Sequence, residues 1–182
     1  RVDFTARVYL TKRLKVLLTL PYKMNNRVQM GENTGIRGLG DMTFLMGYTL
    51  LESQSASQRF NYFVEFNGGF QLPTGRYQSD IHDNNLPENF NTGIGAWGVN
   101  IQPTMVLSLG QIGLTASWQV QFIAPSRDSY HYGNRSIWNT VLSYQESLSS
   151  TIILIPSIGF SGERIAKDRY ANVVLVHGTG GQ

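Results

Sequence analysis

An all-β, antiparallel, up-and-down transmembrane β-barrel is the fold class this sequence predicts, and three observations predict it. Apolar and polar residues alternate at period two over runs of ten or more, the mark of strands with unlike environments on their two sides. The apolar sides of these runs carry no Lys, Arg, Asp or Glu within a strand body. Contact with lipid demands this, since a Lys or Arg there costs about 2–4 kcal/mol near the midplane. The connections alternate between short and long, as in outer-membrane barrels with short periplasmic turns and long external loops.

Composition points the same way. Charged residues make up 15% of the 182, against about 25% in an average soluble domain. Aromatics reach 12% and glycines number 19, yet mean hydropathy is only −0.18. No run approaches about 18 uncharged apolar residues, which excludes a helical membrane protein. Net charge is +3, with Lys and Arg scattered and densest at Lys12-Arg13-Lys15. A nucleic-acid partner would need a basic stripe, so none is expected. Without cysteine, neither a disulfide framework nor a thiolate metal site can form.

In chain order, Val2, Phe4, Ala6, Val8 and Leu10 alternate with Asp3, Thr5, Arg7 and Tyr9 to give a first strand. Thr11-Lys12-Arg13 is a tight turn, and Leu14, Val16, Leu18, Leu20 and Tyr22 mark the second strand. A polar, glycine-bearing loop is expected from Asn25 to Arg37. The clearest hairpin follows. Met42, Phe44, Met46, Tyr48 and Leu50 share one side of its first arm, opposite Asp41, Thr43, Gly47 and Thr49. Phe60, Tyr62, Val64, Phe66, Phe70 and Leu72 oppose Asn61, Glu65, Asn67, Gly69 and Gln71 in the second. Each arm reaches the roughly 9–11 residues a tilted strand needs to cross a bilayer.

Pro73 to Asn91 is the longest loop. A fifth strand is expected from Gly93 to Leu109, with Trp97, Val99, Ile101, Met105 and Leu107 on one side and Asn100, Gln102, Thr104 and Ser108 on the other. Gly110-Gln111 makes a two-residue turn. Ile112, Leu114, Ala116, Trp118, Val120 and Phe122 then oppose Gly113, Thr115, Ser117, Gln119 and Gln121. After a polar loop from Pro125 to Asn134, Trp138, Thr140, Leu142 and Tyr144 mark a seventh strand. Ser147 to Ser150 is its turn, and Ile152, Leu154, Ile158 and Phe160 mark an eighth. The pattern dissolves from Gly162, with a further strand able to start between Asn172 and Val176.

Alternation alone does not say which side faces inward, and a soluble lipocalin-like barrel is the mirror case. Its outer side would carry many charges for solubility. Here the polar side is mostly Asn, Gln, Ser, Thr and Gly. With long loops outside, strand one runs inward and strand eight outward, so both ends of the chain would lie on the outer side. Barrel termini normally lie in the periplasm. Residues 1–182 are therefore expected to form a single transmembrane barrel domain that is the middle of a larger one. Strands would be missing at both ends, eight would be a lower bound, and about 10–12 the whole.

Three short stretches carry a family resemblance: Gly38-Leu39-Gly40-Asp41, Leu72-Pro73-Thr74-Gly75 and Asn91-Thr92-Gly93-Ile94-Gly95. With them, the chain resembles the outer-membrane transporter-like proteins grouped under a meta-pathway of phenol degradation. Tyr9-Leu10-Thr11-Lys12-Arg13-Leu14-Lys15-Val16, Leu20-Pro21-Tyr22, Gly133-Asn134-Arg135 and Thr179-Gly180-Gly181 are similar to the Bacteroidetes branch. The resemblance spans nearly the whole chain. It implies an outer-membrane barrel of more than eight strands that passes small, hydrophobic or aromatic compounds, and it implies no catalytic residue.

The polar side supplies the candidate lumen lining: Arg7, Lys15, Lys23, Asp41, Asn61, Glu65, Asn67, Gln102, Gln119 and Gln121. Asp41 and Glu65 could line a conduit with Arg7, Lys15 and Lys23. A structural network of ion pairs and hydrogen bonds is the simpler expectation for them, and Asp41 would also cap the tight Gly-Leu-Gly entry to its strand. Asp80, His82 and Asp83 crowd one loop without a fourth ligand, and His131 and His177 are expected in loops without a visible partner. No metal or cofactor is expected.

Gly31, Gly35, Gly38 and Gly40 lack the Gly-Lys-Ser/Thr of a phosphate cradle and suit a bend at the strand mouth. Leu72-Pro73-Thr74-Gly75 reads as a turn ending its strand. Asn134-Arg135-Ser136 matches a glycosylation acceptor by chance. No Ser or Thr has a readable His and acid partner, so no catalytic residue and no enzyme is expected. Tyr22, Trp97, Trp118, Trp138, Tyr144 and Phe160 are candidates for the outward face and its aromatic girdles.

The sequence thus predicts an outer-membrane protein acting as a passive pore or uptake channel for small molecules. The alternatives are a filled-lumen barrel serving as scaffold in a membrane protein complex, and a soluble ligand-binding barrel. The expected partners are outer-membrane lipid, a small-molecule solute and other proteins of such a complex.

Overall fold

In an extended ribbon every backbone N–H and C=O points sideways, so only neighbouring strands can satisfy them. The computed structural model shows how the chain meets that demand over residues 1–29, 32–53, 59–77, 91–126, 130–149, 151–170 and 173–174. Its strands are β1 (Val2–Tyr9), β2 (Leu14–Gln29), β3 (Glu32–Leu39), β4 (Met42–Ser53), β5 (Phe60–Leu72), β6 (Gly98–Leu109) and β7 (Ile112–Ile123). There follow β8 (Tyr130–His131), β9 (Arg135–Tyr144), β10 (Glu146–Ser147), β11 (Ile153–Leu154), β12 (Ser157–Ile165), β13 (Arg169–Tyr170) and β14 (Val173–Val174). The main sheet runs β1-β2-β4-β5-β6-β7-β9-β12, antiparallel throughout and curled into a half-barrel with β1 and β12 at its edges.

Register fixes the two faces. Phe44, Phe70, Val99 and Phe122 form one row across four strands. Leu45, Gly69, Asn100, Gln121 and Arg135 form a row on the opposite face. Phe66, Phe70, Trp118 and Phe160 are exposed, whereas Asp41, Thr49, Glu65, Asn67 and Asn100 are buried. Polar side chains crowd the concave side, and large apolar ones splay over the convex side. A soluble barrel buries the other way, so this is the fold of a transmembrane wall.

Three irregularities shape that wall. Pro21 and Leu20 of β2 lie opposite Gly40, Asp41 and Met42, because Tyr22 pairs with Leu39 and Thr19 with Thr43. This extra residue is a bulge joining β3 to β4 in one kinked strand. A second register shift between Thr49 and Leu51 leaves Leu50 and Leu51 both exposed. Pro103, in mid-β6, has no N–H to give β7, and the β6–β7 pairing lapses at Gln102 and Pro103 before resuming at Thr104.

The expected strands form, with corrections. Residues 25–29 and 32–37 do not form the expected loop. Within them β2 and β3 continue as a paired hairpin, Asn25↔Ile36 and Asn26↔Gly35 among its pairs. The sequence over 25–37 is largely polar without alternation, so nothing announced it. Residues 93–97 precede β6 instead of starting it. The expected eighth strand begins at Ser157, not Ile152, and runs to Ile165 past the expected fade at Gly162. Ile153 and Leu154 pair instead with Ser147 and Glu146, since Pro156 cannot extend a ladder that needs its N–H. The longer strand also carries two charges, Glu163 and Arg164. Arg164, with Ser136 opposite, falls in the row of Ile158 and Phe160 and breaks the charge-free apolar side expected there. At Gly110 the expected turn is present, with φ +59°, a conformation glycine adopts without strain.

Candidate functional site

Two polar clusters occupy the inner face. The first spans three strands. Lys15 on β2 reaches across β4 to Glu65 on β5, its Nζ 2.7 Å from Oε2. Gly47 lies between them, and a Cβ there would come within 2.4 Å of Asn67 Oδ1 and 2.9 Å of Lys15 Cε. The missing side chain is the space the ion pair uses. Asn67 Nδ2 donates to Glu65 Oε1 at 2.9 Å and, more weakly, to the Gln102 carbonyl at 3.4 Å. Each oxygen of this buried carboxylate therefore has a donor, which a buried charge requires.

The second cluster is built on Asp41, at the bulge. Its Oδ1 accepts from Gly75 N at 3.0 Å, and its Oδ2 from Ile94 N at 2.7 Å and Gln71 Nε2 at 3.1 Å. Gln71 also pairs with Gln121. Thr74 Oγ1 donates to the Gly40 carbonyl at 3.2 Å and accepts from Met42 N at 2.8 Å. Thr92 Oγ1 accepts from Arg76 N at 3.1 Å, and Gly93 N donates to the Arg76 carbonyl at 3.0 Å. A Cβ on Gly75 would stand 2.6 Å from Gly93 Cα and 2.9 Å from the Gly40 carbonyl carbon. Only glycines let three backbones meet this closely. One buried carboxylate thereby ties the segments 72–77 and 91–97 to the strand mouth.

The ten candidate lining residues fall into groups. Lys15, Glu65 and Asn67 form the first cluster, and Asp41 centres the second. Lys23 is half-buried beside Gly40. Gln121 joins Gln71, and Gln119 Nε2 reaches Asn100 Oδ1 at 3.4 Å. Asn61 and Gln102 are half-buried on the same face, and Arg7 is exposed near the β1 edge. Asp41 does not cap the turn before it; it binds segments far along the chain.

Sequence reasoning missed Gln71, Thr74, Thr92 and Asn100, whose Nδ2 is buried without a partner among the described residues. The glycine-rich stretches at 38–41, 72–75 and 91–95 were the available signal, and they converge on Asp41. It also missed Asp168, which accepts from Tyr130 Oη at 2.7 Å and Gly133 N at 2.6 Å and so ties β8 and the turn after it to the start of β13. His131 lies in that sheet, not in a loop. Arg135 bonds Glu163. Gly31, Asp80, His82, Asp83 and His177 lie outside the described residues.

Chemically, each oxygen of both carboxylates at the clusters' centres has at least one donor from the wall itself, which suits holding a wall in shape. Among the described residues no group of three or more His, Cys, Asp or Glu converges, and no helix is long and apolar enough to cross a membrane, which says nothing of crossing by strands.

The family model described as "Putative MetA-pathway of phenol degradation" matches residues 5–167. No curated protein matches the chain. Among solved structures, the chain is similar to the COG4313 outer membrane channel from Pseudomonas putida F1, with a TM-score of 0.69 and 16% identity. The match covers 94% of this chain and 62% of the channel, so the chain spans less than two thirds of that protein's length.

Proposed function

The chain belongs to the MetA-pathway phenol-degradation family, and from that premise we propose that it forms part of the wall of a passive outer-membrane channel for small molecules. The observation that carries this is the sorting of its faces: buried amides and paired charges inside, exposed aromatics and aliphatics outside. Outer-membrane lipid is the partner that suits the outer face. A bilayer tolerates no open sheet edge, and β1 and β12 are edges here, so the membrane-spanning form is a closed barrel, of about 10–12 strands. The family's description supports small hydrophobic or aromatic compounds, phenols among them, as solutes.

A second reading, a filled barrel acting as scaffold in a membrane complex, is favoured by one observation: Asp41, Glu65 and Asn67 are buried and engaged with the wall itself. Planar-bilayer recording of the full-length protein separates the two. Discrete conductance steps, with permeation of phenols into vesicles, are expected for the channel. A silent bilayer from properly inserted protein would leave the scaffold.

A further inference from the structure

The connection between β9 and β12, described over residues 145–149 and 151–156, is unlike a turn that faces water. It is a folded hairpin. Tyr144 N donates to the Pro156 carbonyl at 3.0 Å and Gln145 N to the Gln111 carbonyl at 2.8 Å, closing its root. Glu146 pairs with Leu154 and Ser147 with Ile153. Its tip is held by Leu148 N on the Ile152 carbonyl at 3.0 Å and by Ser149 Oγ, which accepts from Ile152 N at 3.1 Å. Yet Leu148, Ile152, Ile153, Leu154 and Ile155 are each more than half exposed. Glu146 is the one ionisable residue from 145 to 156. It is drawn back to the root, accepting from Tyr144 Oη at 2.8 Å and Gln111 Nε2 at 3.4 Å.

We propose that this hairpin is a wedge seated in the phospholipid leaflet on the short-turn side of the wall, its partner a lipid surface. The inference rests on the membrane-wall reading above but goes beyond it. Ile153 and Leu154, adjacent in β11, point to opposite sides of the ribbon, and both are exposed. A hairpin docked on a protein covers one side, whereas a fluid apolar medium covers both. The wedge also hangs from β9 and β12, whose Leu142, Ile158 and Phe160 are exposed on the outer face, so its apolar surface continues theirs. A two-stranded ribbon keeps unpaired edge N–H and C=O groups, which the hydrocarbon core does not tolerate. The headgroup boundary does, with aliphatic side chains reaching below it.

The chain has no cysteine, so single probes are direct. The full-length protein carries an environment-sensitive fluorophore at Ile153→Cys, with Leu148→Cys as the second site, and is folded into phosphatidylethanolamine–phosphatidylglycerol vesicles. Lys12→Cys, in another short turn, gives the aqueous reference, and Phe160→Cys, on the outer face, gives the lipid reference. The expected result at both hairpin sites is quenching by shallow spin-labelled lipid and roughly threefold less quenching by iodide than at Lys12. Iodide quenching equal to that at Lys12 would put the hairpin in water and overturn the proposal. Protection from both quenchers would mean that protein covers it, and would overturn the proposal equally. If the Phe160 probe itself reads water, the wall reading falls and takes the wedge with it.

Discussion

Lys15 Nζ stands 2.7 Å from Glu65 Oε2, although β4 lies between their strands. With Lys15→Met, Glu65 keeps Asn67 but loses its counter-ion in a site that is nearly closed to solvent. Breaking a buried pair from one side costs about 3–5 kcal/mol. Adding Glu65→Gln removes the stranded charge, so the double variant is expected to be more stable than Lys15→Met alone. Urea unfolding in vesicles reads both.

Gly47 is the gap through which that pair forms. Gly47→Ala puts a methyl group against Asn67 Oδ1 and Lys15 Cε, and crowding of this kind typically costs about 1–3 kcal/mol. The same change at Gly110, where a Cβ meets nothing within 4 Å but φ is +59°, strains backbone alone. Midpoint shifts from unfolding series should show the Gly47 variant losing stability partly through the pair, with a smaller but measurable further loss in a Lys15→Met background, where the crowding against Asn67 persists.

Asp41 is the tie between the strand mouth and the segments 72–77 and 91–97. Asp41→Ala leaves Gly75 N, Ile94 N and Gln71 Nε2 without their acceptor, at about 1–3 kcal/mol for each donor left unsatisfied. The segments should then detach before the wall unfolds. Trypsin is expected to cut faster after the exposed Arg76, seen by fragment mass. Asp41→Asn, which keeps one acceptor oxygen, should fall between.

Neighbours in β7 separate the two faces. Trp118 is 54% exposed on the outer face, and Gln119 faces inward towards Asn100. Trp118→Arg is expected to lose about 2–4 kcal/mol of folding free energy in a bilayer. Gln119→Arg should lose about 1 kcal/mol, the worth of one hydrogen bond. Equal losses would mean that the faces have been assigned the wrong way round.

Much of the wall was legible because lipid imposes a strict period-two rule, and Met42 to Leu72 obeys it almost without exception. The rule fell silent where no apolar medium enforces it. The sequence of the β2 and β3 extension is largely polar throughout, and residues 152–155 are aliphatic in succession, so neither shows alternation. The candidate site was half legible. Lys15 and Glu65 stood out as charges on the polar face, but their meeting depends on Gly47, and no local pattern says that one glycine serves as a window. The partners of Asp41 lie thirty residues or more away, brought in by bends that glycine sequences permit without specifying.

Pro103 has a mechanical consequence. A staved vessel yields first where its seams are unstitched, and the seam between β6 and β7 lacks a stitch midway along its length. Under sideways load this gap, like the lapse at Leu20 and Pro21 of β2, is a fixed place where the staves would begin to part.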